Sequence, residues 1–188
     1  MGVNATEVVP PSFDELVNGA DYVVRAKVEE VTSQLVNRGT KSRIVSKVKL
    51  EVLEVVAGDP PESVVLTVLG GQVGERIMTI EGAPQFVPGT EAIFFVQGNG
   101  RQFYPLVAMM HGLYPILKNG VGEDTYMARS NREPLSSISQ ISKKMGETAA
   151  PDGTSNDALR ASLPAFKPTE FMERIRQQRV NPNPSNRE

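Results

Sequence analysis

The chain has no cysteine, no tryptophan and a single histidine. Each shortage closes a class of function. Without cysteine there are no disulfides and no thiolate metal sites, and the compartment is left open between cytosol and export. One histidine, His111, cannot build a histidine-rich zinc centre. Aromatic residues are 6% of the chain, which leaves few platforms on which bases could stack. With 20 basic and 22 acidic residues, net charge −2, the chain lacks the basic excess of a polyanion binder. No apolar run approaches the roughly 20 residues that span a bilayer. Residues 1–11 carry neither the basic nor the apolar part of a signal peptide, so the chain reads as soluble with any leader removed. Its 188 residues suffice for one domain with appendages and a real core.

What is present is a rhythm of two. Tyr22, Val24, Ala26 and Val28 alternate with Val23, Arg25, Lys27 and Glu29, the pattern of a strand with one buried face. The alternation breaks at Glu29-Glu30-Val31, where a bulge is expected. After a turn at 37–40, a long strand over 42–56 points Ile44, Val48, Leu50 and Val52 one way. Leu53 and Val55 then slip phase. Further strands are predicted at 63–69, 76–80, 91–96, 102–109, 112–117 and 125–128. Ser12 and Glu15 form a capping box for a short helix ended by Asn18-Gly19. The resulting domain plan is an extended segment over 1–11, a β-barrel over 12–130 and a helix over 131–146. A linker over 147–165, a helix over 166–180 and a disordered tail over 181–188 follow. Thr169 is the expected N-cap of the last helix. Short strands at close spacing, some with phase slips, fit a small antiparallel barrel with Val24, Val48 and Leu66 inside it.

Few constellations carry chemistry. His111 could act as a general base, yet nothing nearby supplies ligand spacing for a metal, and a locally bonded strand-end histidine is the plainer reading. No Gly-x-Ser-x-Gly elbow occurs. Gly70, Gly71 and Gly74 lack the Lys-Ser/Thr of a phosphate loop, so they read as positions of unusual φ or close backbone approach. Arg25, Lys27, Arg43, Lys47 and Lys49 would share outward sheet faces, but without interleaved aromatics they read as a solvated face. Phe94, Phe95, Phe103, Tyr104, Met109 and Met110 read as core. The Gly- and Pro-rich stretch 72–88 is the natural binding loop, because such loops carry function more often than the scaffold. Gln72, Arg76, Glu81, Phe86 and His111 are the candidate binding residues; no catalytic, cofactor or metal residue is assigned.

Two stretches carry a resemblance. Ser12-Phe13-Asp14-Glu15-Leu16-Val17 with the run from Ala20 to Val28, and the run from Leu69 to Val107 with Met110-His111-Gly112, resemble an uncharacterised family of exported bacterial proteins across residues 12–135. That likeness implies export to the periplasm or exterior and no particular activity. A wider likeness is to the netrin-like, tissue-inhibitor-of-metalloproteinase type of OB barrel, carried by residues 20–28 and by Leu53-Glu54-Val55-Val56-Ala57-Gly58. Those inhibitors chelate a protease zinc through an amino-terminal cysteine, which this chain lacks, so the likeness implies a fold and not that mechanism. The expectation is an OB-like, mainly β protein with a short N-terminal helix and C-terminal helices. Its expected role is a non-catalytic, exported module binding another protein such as a protease, without cofactor. The alternatives are a hydrolase using His111 with a Ser or Asp of the 70–90 loop, and an OB domain for single-stranded nucleic acid.

Overall fold

A computed structural model describes residues 8–38, 41–119, 124–145 and 164–180. Most of the expected linker over 147–165, the expected tail and part of the turn at 37–40 lie outside the described residues. So does most of the extended segment 1–11.

The first helix, α1 (Phe13–Gly19), starts at the expected box. The Glu15 amide donates to the Ser12 hydroxyl at 3.2 Å, and the Ser12 amide donates to the Glu15 carboxylate at 2.7 Å. These bonds satisfy donors that a helix start otherwise leaves open and hold the Glu15 carboxyl below its usual range. Among the described residues eight strands follow: β1 (Tyr22–Arg38), β2 (Lys41–Gly58), β3 (Val64–Leu69), β4 (Gly71–Val73), β5 (Arg76–Met78), β6 (Glu91–Val96), β7 (Leu113–Lys118) and β8 (Thr125–Met127). A second helix, α2 (Pro168–Val180), ends the described chain. It begins at Pro168, one residue before the expected cap Thr169, with proline at a first-turn position that needs no amide donor.

Six strands form one antiparallel sheet in the order β3-β2-β1-β6-β7-β8, and β4 with β5 makes a separate hairpin. The expected bulge lies where it was read, the β1–β2 register stepping between Val28 and Glu30. The slip at Leu53 is real too, since pairing passes from Arg25↔Glu54 to Ala26↔Val52 and skips Leu53.

Three expectations are corrected. The sheet is not a closed barrel: β3 and β8 are its two ends and do not pair. It curls, and the gap between β6 and β3 is spanned by residues 97–107. Gln97 and Val107 amides donate to the Pro105 and Phe95 carbonyls, and the Leu69 amide donates to the Phe103 carbonyl. This spanning segment is the expected strand 102–109, reduced to one bridge at Val96↔Leu106. Pro105 has no donor, and Ala108 and Met109 turn into left-handed backbone, φ 47° and 55°. The expected helix over 131–146 is only a 3-10 turn at Ile138–Gln140. Leu135 there is held extended, its amide donating to the Met127 carbonyl and its carbonyl accepting from the Phe166 amide.

Two apolar clusters sit on opposite faces of the sheet. One gathers Tyr22, Val24, Ala26, Val28, Val48, Leu66, Ala92, Phe94 and Val96 among others. Val24, Val48 and Leu66 are fully buried, as the two-residue rhythm requires. The other joins Val23, Ile93, Phe95 and Tyr114 to α1 and α2. Strand β6 thus buries both faces, which is why 92–96 reads as an unbroken apolar run. Phe171 of α2 lies within 5.3–6.3 Å, centroid to centroid, of Phe13, Phe95, Tyr114 and Phe166. Arg179 donates to the Val17 carbonyl at 2.6 Å and the Ala20 carbonyl at 3.0 Å. The last helix is therefore docked on this sheet and caps the first helix.

Candidate functional site

The site begins at a glycine pair. After β3 the chain turns at Gly70, φ 102°, and Gly71, φ 127°. The Gly70 amide donates to the Ile44 carbonyl at 2.8 Å, and the Ser46 hydroxyl donates to the Gly70 carbonyl at 2.6 Å. Ser46 has one hydroxyl proton and spends it there, so Ser33, whose oxygen lies 2.8 Å away, donates to Ser46. A Cβ on Gly71 would meet Ser46 Oγ at 2.2 Å and Ser33 Oγ at 2.5 Å. Both features read from these glycines, unusual φ and close approach, occur together.

From this anchor the hairpin β4–β5 runs out, pairing Gln72 with Ile77 and Val73 with Arg76. Gln72, Arg76 and Glu81 are exposed, and Gln72 Nε2 donates to the Gly74 carbonyl at 3.1 Å. Sequence reasoning missed the apolar part of this surface. Ile77 is 68% and Val87 53% exposed; the signal was an isoleucine between Arg76 and Met78 in a strand too short to cover it. Phe86 turns inward and is half-buried against the first cluster. The loop returns to the sheet through the Gly89 amide, which donates to the Val28 carbonyl at 2.8 Å.

His111 does not join this surface. It is 2% exposed, in a 3-10 turn over Met109–Gly112. Only its neighbour reaches the loop: a Cβ on Gly82 would lie 3.3 Å from Met110 Cε. Burial, and then the nearby Arg129 guanidinium, push the imidazole down to about 4, so it is neutral at pH 7. Among the described residues its Nδ1 has no hydrogen-bond partner, so no described carboxylate orients the ring through that atom as a triad would require. Arg129, itself 2% exposed, donates to the Glu133 carboxylate at 3.2 Å and to the Lys143 carbonyl. Ser130 shares its proton between the Leu113 carbonyl at 2.8 Å and the Met110 carbonyl. Nothing in the sequence around Arg129 marks it as buried.

Three of the basic residues of β1 and β2 meet acids across the ladder, Arg25 opposite Glu54, Lys27 opposite Glu51 and Lys49 opposite Glu30, while Arg43 faces Val36 and Lys47 faces Thr32. Arg25 also bonds Glu91, and Lys49 bonds Glu29 at 2.8 Å. Arg43 lies 5.8 Å over the ring of Phe103, which is 46% exposed and so departs from the core reading. Phe94 and Phe95 are core, and Tyr104 donates to the Leu69 carbonyl at 2.9 Å. Among the described residues no three His, Asp or Glu side chains are placed to hold a metal ion, and no helix is long and apolar enough to cross a membrane.

Comparison with protein-family models, with curated proteins and with solved structures finds no match for the chain.

Proposed function

We infer that this protein is an exported, non-catalytic binding module that presents the 71–88 hairpin and loop to another exported protein such as a protease. The observation that carries the reading is the pairing of an anchored hairpin base with exposed apolar side chains: Gly70 and Gly71 held against Ser46 and Ser33, with Ile77 on the hairpin and Val87 on the returning loop in solvent. Apolar side chains on a pre-ordered hairpin bind at low entropic cost. Gln72, Arg76 and Glu81 supply a polar rim of the kind that surrounds such a centre. The resemblance of residues 12–135 to a family of exported bacterial proteins is what supports export. The OB-like description draws support from the order of β3, β2, β1 and β6 and from the 97–107 segment that bridges β6 to β3.

The test is capture from a bacterial exported fraction by the wild-type chain and by an Ile77→Asp/Val87→Asp variant. The expected result is a protein enriched by the wild type and reduced at least about tenfold by the variant, a loss typical of hot-spot residues. Enrichment of nothing, or equal enrichment by both, overturns the reading.

A further inference from the structure

Buried polar atoms in folded proteins find hydrogen-bond partners, and the exceptions call for an explanation. Among the described residues five such side-chain atoms have none. Two of them, Tyr22 OH and Asn99 Oδ1, belong to side chains close enough for the amide to act on the phenol. The other three are His111 Nδ1, Tyr114 OH and Arg129 Nε. Their side chains lie inside the protein, 2%, 1% and 2% exposed. Ser130 brings them together. Its hydroxyl bonds the Met110 and Leu113 carbonyls, which lays Arg129 beside the next residue after each, His111 and Tyr114. The guanidinium charge acts on both rings.

A buried polar atom without a partner is costly, and a buried charge is more so. Arg129 is answered on its Nη atoms alone. Nη1 bonds Glu133, whose side chain is 47% exposed and shares its charge with water, and Nη2 bonds the Lys143 carbonyl. The Nε–H is left over. It is a donor, as is the Tyr114 hydroxyl, and as is His111 Nδ1 in the tautomer that carries the proton there. Three donors beside a half-compensated buried cation describe a ligand that only accepts and is negatively charged. A water molecule would satisfy the polar atoms and leave the charge as it was.

We propose that His111, Tyr114 and Arg129 bind one small monovalent anion of the halide type in the core. One guanidinium balances one negative charge. Met127, Leu135 and Ile141 belong to the same apolar cluster as Tyr114, and such surroundings disfavour the strongly hydrated divalent ions sulfate and phosphate. Bound there, the anion ties the turn at 109–112 and the start of β7 to Arg129. Neither Ile77 nor Val87 takes part, so this inference and the hairpin reading stand or fall separately.

Thermal melting of the full chain tests it, with chloride replacing gluconate over a millimolar series at fixed sodium concentration. The wild-type melting temperature is expected to rise with chloride along a binding curve. Tyr114→Phe keeps the ring contacts with Phe95 and Phe171 and removes one donor; it is expected to weaken chloride binding at least about tenfold. Tyr104→Phe, which loses a phenol hydroxyl elsewhere in the fold, keeps the full response. Should Tyr114→Phe fail to fold, wild-type crystals grown in bromide carry the test, with an anomalous peak expected within bonding reach of Arg129 Nε. A melting temperature indifferent to chloride, a response undiminished in Tyr114→Phe, or a site that holds water alone in bromide overturns the proposal.

Discussion

The hairpin at Gly71 and the turn at His111 are fastened by the same device and put to opposite use. In each, a serine hydroxyl from a distant segment grips the carbonyls of a tight turn: Ser46 holds Gly70, and Ser130 holds Met110 and Leu113. In each, the backbone enters the left-handed region, at Gly70 and Gly71 in one and at Ala108 and Met109 in the other. Yet the first turn carries exposed side chains outward, and the second folds a titratable ring into the core. A serine-clasped turn is a mount, and its bearing is set by what packs against it. The Gly71 turn lies over two serines on the sheet. The His111 turn lies against Arg129 and is held by Ser130.

The comparison breaks most sharply at Gly71. Alanine there places a methyl against two hydroxyl oxygens and imposes a left-handed conformation on a residue with a side chain. A loss of about 3–4 kcal/mol is expected, read as the shift of a urea midpoint. A near-neutral Gly71→Ala would mean that the hairpin base is loose and that rigidity is not what it offers a partner.

Next is the titration of His111. Its folded pKa, about 4, lies below the ordinary 6.5, so between these values the unfolded chain binds a proton that the folded chain does not. Stability is therefore full above pH 6.5 and falls as pH drops toward 4, by up to about 3 kcal/mol. The upper part of that window lies above the ordinary carboxylate range. A flat urea midpoint from pH 7 to 5, or a slope that survives in His111→Leu, would show that the ring is open to water and restore it as a candidate base.

The smallest effect is at the clasp itself. Ser130→Ala removes the side-chain donor to the Leu113 and Met110 carbonyls, the latter still accepting from the Leu113 amide, and is expected to cost about 1–2 kcal/mol, measured by thermal melting. Faster amide exchange should be confined to residues 108–113. Exchange that spread to the hairpin would mean that the two turns act as one unit.

How much of this was legible follows from the range of the forces. Strands β1, β2, β3 and β6 were readable because burial of one or both faces is written in neighbouring residues, down to the slips at Glu29 and Leu53. Helix α1 was readable because Ser12 and Glu15 satisfy each other three residues apart. The curl without closure was not, because it depends on 97–107 meeting Leu69. The strap over 131–146 was misread as a helix because Leu135, Ile138 and Ile141 keep helical spacing, while the competing bonds to Leu135 come from Met127 and Phe166. The site was half legible. Gln72 and Arg76 lie on one short hairpin and, like Glu81, are exposed, but His111 is buried beside an arginine that no local pattern announces, and the exposure of Ile77 went unread.

The Arg179 contact with the carbonyls of Val17 and Ala20 has a bearing on synthesis. As the chain leaves the ribosome, α1 emerges with its last turn unfinished, and the guanidinium that completes it follows only 162 residues after Val17. Closing so long a loop is slow. Helix α1 must wait, exposed to chaperones and proteases, for α2.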